Sequence, residues 1–215
     1  MKLRTPSLSL VALCLTLAAI PAAAQTVYSN GPTNGNTDAW TINFGFIVSD
    51  SFNVANNGTN ITGAAFTMWL YPGDSLTSAE LSITSSENGG TSYFDQTVNF
   101  YQGGCTANQY GYNVCLESAA FPTVTLNSGT YWLNLQNGSV PSGDPVYWDE
   151  NSGPSSASQN DVGTIPSESF TLLGGSGSTT TTSTTTTGTV PEPTSIMLFG
   201  SGILGLVGML RRKLF

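Results

Sequence analysis

The sequence predicts an all-β domain, an antiparallel β-sandwich of jelly-roll-like winding, flanked by an N-terminal signal peptide and a C-terminal transmembrane helix. Three observations carry that expectation. Apolar and aromatic residues recur at every second position in short runs between about Ala39 and Leu173. Clusters of Gly, Asn, Asp and Pro separate the runs. No segment sustains the 3.6-residue period of a helix.

The runs follow in order. Thr41 to Val48 is rich in Ile, Phe and Val, and Ile61 to Tyr71 sets Phe66, Met68 and Leu70 against Ala65, Thr67, Trp69 and Tyr71. Ala79-x-Leu81-x-Ile83, Tyr93 to Tyr101, Val124-x-Leu126, Tyr131-x-Leu133-x-Leu135, Val146 to Trp148 and Phe170 to Leu173 complete the set. Between them stand Asn56-Asn57-Gly58, Pro72-Gly73-Asp74, Asn88-Gly89-Gly90, Asn127-Ser128-Gly129 and Pro141-Ser142-Gly143-Asp144. Such residues suit tight turns because they tolerate left-handed backbone or fix φ. Eight to ten strands over roughly 150 residues imply two packed sheets. A chain of that length buries about 68–70% of its unfolded surface, so most Trp and Tyr are expected in the core.

The ends read differently. Residues 1–24 have a basic start (Lys2, Arg4), an apolar stretch from Leu8 to Ile20 and small residues Ala22-Ala23-Ala24 before Gln25, the pattern of a cleavable secretory signal. The apolar stretch is about 13 residues, too short for the roughly 20 of a membrane span. Residues 25–173 form the expected ectodomain, and the Gly/Ser/Thr-rich residues 174–189 offer no apolar face and read as a stalk. Residues 190–215 hold Pro191-Glu192-Pro193, an apolar run suited to a transmembrane helix over about 195–210, and the basic tail Arg211-Arg212-Lys213. That basic cluster holds the tail in the cytoplasm and leaves everything before it outside.

This tail resembles the PEP-CTERM sorting signal of bacteria in order, spacing and terminal position. The resemblance implies an exosortase, a membrane protease-transferase, as processing partner, and a product that stays membrane-anchored or reaches the cell surface.

Charge narrows the function. All five basic residues lie at the two ends, so from Gln25 to Val190 there is no Lys, Arg or His, while twelve of the thirteen carboxylates fall in that stretch. A domain without cationic side chains neutralises no phosphates, which excludes nucleic acid as a partner. Without His or Lys, the Ser-His-Asp and Cys-His arrangements and Schiff-base chemistry lack their base or amine. Two-carboxylate glycoside hydrolysis survives that exclusion.

Cys105 and Cys115 are the two cysteines of the ectodomain, an even count that predicts a disulfide in an oxidising compartment. The densest polar stretch runs from Asp144 through Tyr147, Trp148, Asp149 and Glu150, with Asp161 following. It reads as a turn whose acids cap backbone amides while Trp148 packs inward, as a loop in which acids, amides and carbonyls suit calcium, or as one in which Tyr147 or Trp148 stacks on a sugar. No other cofactor is expected. The segments Gly129 to Asn137, Asp144 to Ala157 and Gly163 to Phe170 resemble ectodomains that recur beside PEP-CTERM signals. The expectation that follows is a non-enzymatic surface protein of the exopolysaccharide or biofilm layer, acting by adhesion or glycan binding. Its rival is a secreted glycan-active hydrolase.

Overall fold

The computed structural model describes residues 24–174. The predicted signal peptide, stalk, transmembrane helix and sorting residues lie outside them, except Gly174, which closes the last strand instead of opening the stalk. Among the described residues there is no helix. Thirteen strands run in chain order. The first five are β1 (Gln25–Ser29), β2 (Ala39–Thr41), β3 (Ile47–Val54), β4 (Thr59–Leu70) and β5 (Ser78–Ser86). Then come β6 (Gly89–Asn99), β7 (Tyr101–Ala107), β8 (Asn113–Leu126) and β9 (Gly129–Ser139). Last are β10 (Tyr147–Asp149), β11 (Ala157–Gln159), β12 (Gly163–Ile165) and β13 (Phe170–Gly174).

These strands make two antiparallel sheets. In the seven-stranded sheet, one edge of β4 pairs with β8, which carries β7. The other edge of β4 is shared, with β13 and β1 along its first half and β10 and β2 along its second. The six-stranded sheet runs β12-β11-β3-β9-β5-β6. Among the longer strands the pairing is nested: β1 with β13, β3 with β9, β4 with β8, and β5 with β6. Nested pairs distributed over two sheets are how a jelly roll is wound.

Alternation places the core between the sheets. Phe66, Met68 and Leu70 of β4 face inward, as do Leu81 and Ile83 of β5 and Leu133 and Leu135 of β9, all buried. Trp148 is wholly buried and meets Phe66 and Phe170 edge-on at 5.5 and 5.8 Å. Each such apolar side chain contributes about 1.5–3 kcal/mol on burial.

The structure departs from the sequence pattern in three places. Thr41 to Val48 is not one strand: the chain turns at Asn43–Phe46, where the Phe46 amide donates to the Asn43 carbonyl at 3.1 Å. Phe44 there has φ +59° and is exposed, so this apolar run marks a turn. Tyr93 to Tyr101 is divided between β6 and β7, which belong to different sheets. The fourteen residues of β8 form a single strand although only its end alternates clearly in sequence, because its inward positions include Cys115, Glu117 and Ala119.

Candidate functional site

The outer face of the seven-stranded sheet gathers five aromatic side chains. Register puts Tyr147 directly opposite Trp69, and Trp69 opposite Val114. Beyond β7 the chain loops back through Asn108–Tyr112, and Asn108 shapes that loop. Its side-chain oxygen accepts from the Tyr110 and Tyr112 amides, both at 3.0 Å, and its side-chain amide donates to the Gly35 carbonyl at 3.1 Å. Cys105 and Cys115 stand opposite each other at the base of the loop, with Cα atoms 4.1 Å apart and their sulfurs bonded. The loop presents Tyr110 stacked on Trp69, with centroids 5.8 Å apart. Tyr112 meets Trp69 at 5.8 Å, Tyr147 at 5.5 Å and Tyr71 at 5.0 Å. Tyr110 is 55% exposed and Tyr71 38%. A cleft of about 100 Å³ opens here, lined by Asp38, Ala39, Trp69, Tyr112 and Tyr147.

The residues that the sequence groups into one acidic loop are distributed by the fold. Tyr147–Asp149 is a strand rather than a loop, so alternation sends Trp148 into the core and keeps Tyr147 on the outer face. The Trp148 indole donates to the Ser169 carbonyl at 2.9 Å. Asp149 is wholly buried beneath the segment around Asn34 and Gly35. Its carboxylate accepts from the Gly35 amide at 2.7 Å, the Asn34 amide at 2.8 Å and the Trp69 indole at 2.7 Å. Burial still pushes its pKa upward against those three bonds. Glu150 accepts from the Trp40 indole at 3.1 Å. Asp144 sits in the turn after β9, and exposed Asp161 in the turn between β11 and β12 on the other sheet. Among the described residues, no three His, Cys, Asp or Glu side chains are grouped to hold a metal ion.

Three acids that the sequence pattern conceals lie inside the sandwich. Asp50 and Glu168 are both wholly buried, and Glu117 is 1% exposed. One Asp50 oxygen accepts from the Glu168 amide at 2.6 Å and the Asn30 side chain at 2.9 Å. Its other oxygen, both Glu168 oxygens and both Glu117 oxygens have no hydrogen-bond partner. Burial raises Asp50 to about 6 and Glu117 to about 7. Burial, reinforced by the charge of Asp50, drives Glu168 well above the usual carboxylate range. Burial therefore favours the protonated form of each of these groups relative to a solvated carboxyl.

A wider open groove of about 470 Å³ crosses the same outer face, lined by Thr33, Ala65, Thr67, Leu116, Ser169 and Thr171 among others. Small and hydroxyl-bearing side chains make up most of its floor, and the Thr33 and Thr67 hydroxyls bond at 2.7 Å.

Of the aromatic face, the sequence pattern marks Tyr147 alone. Trp69 and Tyr71 were legible as the positions alternating with inward Phe66, Met68 and Leu70. Tyr110 and Tyr112 were legible only as residues of the loop closed by the two cysteines. Asp38 carried no signal.

Pro191, Glu192, Pro193, Arg211, Arg212 and Lys213 lie outside the described residues, and the comparison of sequences bears on them directly. Residues 189–213 match the PEP-CTERM protein-sorting motif. No curated protein matches the chain. The motif implies an exported chain with an exosortase as its processing partner, and a membrane-associated or surface location after processing.

Proposed function

We propose that this chain, carrying a PEP-CTERM sorting motif behind an all-β domain, is a non-enzymatic envelope protein that holds glycan of the exopolysaccharide layer on the outer face of its seven-stranded sheet. The observation that carries this is the group formed by Trp69, Tyr71, Tyr110, Tyr112 and Tyr147, which keeps Tyr71 and Tyr110 open to solvent. Sugar rings present apolar C–H faces that pack on aromatic rings, while their hydroxyls find partners such as Asp38 and the Thr-lined groove beside the rings.

The rival reading, a glycan hydrolase, draws on carboxylic acids with raised pKa, which such chemistry needs. The raised acids here are Asp50, Glu117, Asp149 and Glu168, all buried, and none lines the clefts on the aromatic face. Their burial supports binding over hydrolysis.

Exported full-length chain, purified in detergent, tests the reading on a glycan array and against matrix polysaccharide. Binding to polysaccharide without release of reducing sugar is expected, and Tyr110→Ala with Tyr112→Ala weakens it about tenfold, the equivalent of ~1.4 kcal/mol. Release of reducing sugar that disappears in an Asp38→Asn variant would establish the hydrolase instead.

The sorting reading assigns recognition to Pro191-Glu192-Pro193 and anchoring to the apolar helix and Arg211-Arg212-Lys213. Replacing the triplet with alanines is expected to leave export intact and block processing, so that the precursor accumulates on an immunoblot. Unchanged size and location would remove recognition through the triplet.

A further inference from the structure

We infer that the cleft between Trp69, Tyr112 and Tyr147 takes a positively charged ammonium group, which makes the bound glycan one that carries free amino sugars. The inference rests on the glycan-binding reading and specifies its ligand. Three aromatic rings and one carboxylate line the cleft. The rings are not a parallel stack: Tyr112 stands at 73° to Tyr147 and at 41° to Trp69, so they wall a cup. Aromatic faces are electronegative, and a cation within about 6 Å of ring centroids is attracted to them. The Trp69 indole N–H is already donated to Asp149, which leaves the ring and not its polar edge as the wall.

Charge around the cup has one sign. Exposed Asp38 lines the cleft, and the charge of Asp144 acts on Tyr71 and Tyr147. From Gln25 to Val190 the chain has no Lys, Arg or His to compete for the cup or to attract an anionic polymer. Uronate or sulfate groups are repelled here, whereas an ammonium is drawn in. Size agrees: about 100 Å³ is well below the ~300 Å³ at which pockets begin to enclose a whole drug-sized ligand, so the cup suits one charged substituent while the sugar ring lies outside on Tyr110 or Tyr71.

Isothermal titration of the exported full chain in detergent tests this with three probes: a fully deacetylated glucosamine hexamer with its amines charged, the N-acetylated hexamer, and tetramethylammonium. The deacetylated hexamer is expected to bind, more weakly as salt rises, and the acetylated hexamer to bind at least about fivefold more weakly. Asp38→Asn is expected to cost about fivefold to tenfold for the deacetylated hexamer and for tetramethylammonium, and less for the acetylated hexamer. Asp38 is exposed and its side chain meets only its own neighbour's amide, so that variant keeps the fold, and an unchanged melting curve verifies it. Equal binding of both hexamers would overturn the ammonium cup and leave glycan binding standing. Tetramethylammonium binding without either hexamer would keep the cup and overturn the glycan. Binding of none of the three would overturn the inference.

Discussion

Asp149 shows how much one side chain can organise in a domain without cations. It joins the Asn34 and Gly35 amides to the Trp69 indole, and so connects the segment before β2 to the wall of the aromatic cup. Asp149→Ala orphans three donors, two of them buried, and a loss on the order of 3 kcal/mol is expected in urea unfolding. Glu117 presents the opposite case, a buried acid with no partner on either oxygen. Glu117→Gln removes a charge that the core resists, so the variant is expected to melt higher than the parent at pH 8 and nearly level with it at pH 5. An equal difference at both pH values would show that ionisation is not the cause. At this scale the sequence is a partial guide. The sequence marks Tyr147 and Asp149 alike, but three hydrogen bonds make Asp149 a support for the site. Glu117, Glu168 and Asp50 were invisible because a carboxylate looks the same in sequence whether it faces water or the core.

The loop between β7 and β8 is the element that completes the aromatic face. Asn108 holds its backbone from within, and the Cys105–Cys115 bond holds its base. Replacing the pair by Cys105→Ser and Cys115→Ala is expected to cost about 2–3 kcal/mol. Because Tyr110 and Tyr112 ride on that loop, the double variant is also expected to weaken glycan binding. Retained affinity with lowered stability would separate the disulfide from the site. Turns were the most legible elements: Gly58, Gly73, Asn88 and Gly143 all adopt positive φ in the clusters that marked them. Strands built of small or polar residues were the least legible. β11 and β12 each have three residues and little apolar signal, and Ser49, Asp50 and Ser51 blurred the middle of β3.

For the whole molecule, the buried acids set the response to pH. Asp50, Glu117 and Glu168 hold protons in the folded state more tightly than in the unfolded chain. The folded state therefore binds more protons, and stability falls as pH rises through the interval between the two sets of values. For Glu117 that interval runs from the ordinary 4.5 to about 7, and Asp50 and Glu168 shift in the same direction. The melting temperature is expected to be higher at pH 5 than at pH 8, and a flat profile would contradict the burial of these groups. The two-sheet architecture was legible as a class, since alternation and turns suffice for it. The nested pairing was not, because it depends on contacts between residues such as Gln25 and Gly174 at opposite ends of the domain. That pairing has a mechanical consequence. β13 ends at Gly174 beside the first half of β4, and the aromatic residues cluster at the far end of β4, about 30 Å away at the usual rise per residue. Under the proposed glycan binding, tension between a polymer held on those rings and Gly174 pulls two antiparallel neighbours lengthwise from opposite ends. Their ladder is loaded in shear, where the hydrogen bonds share the force and yield together instead of unzipping one at a time.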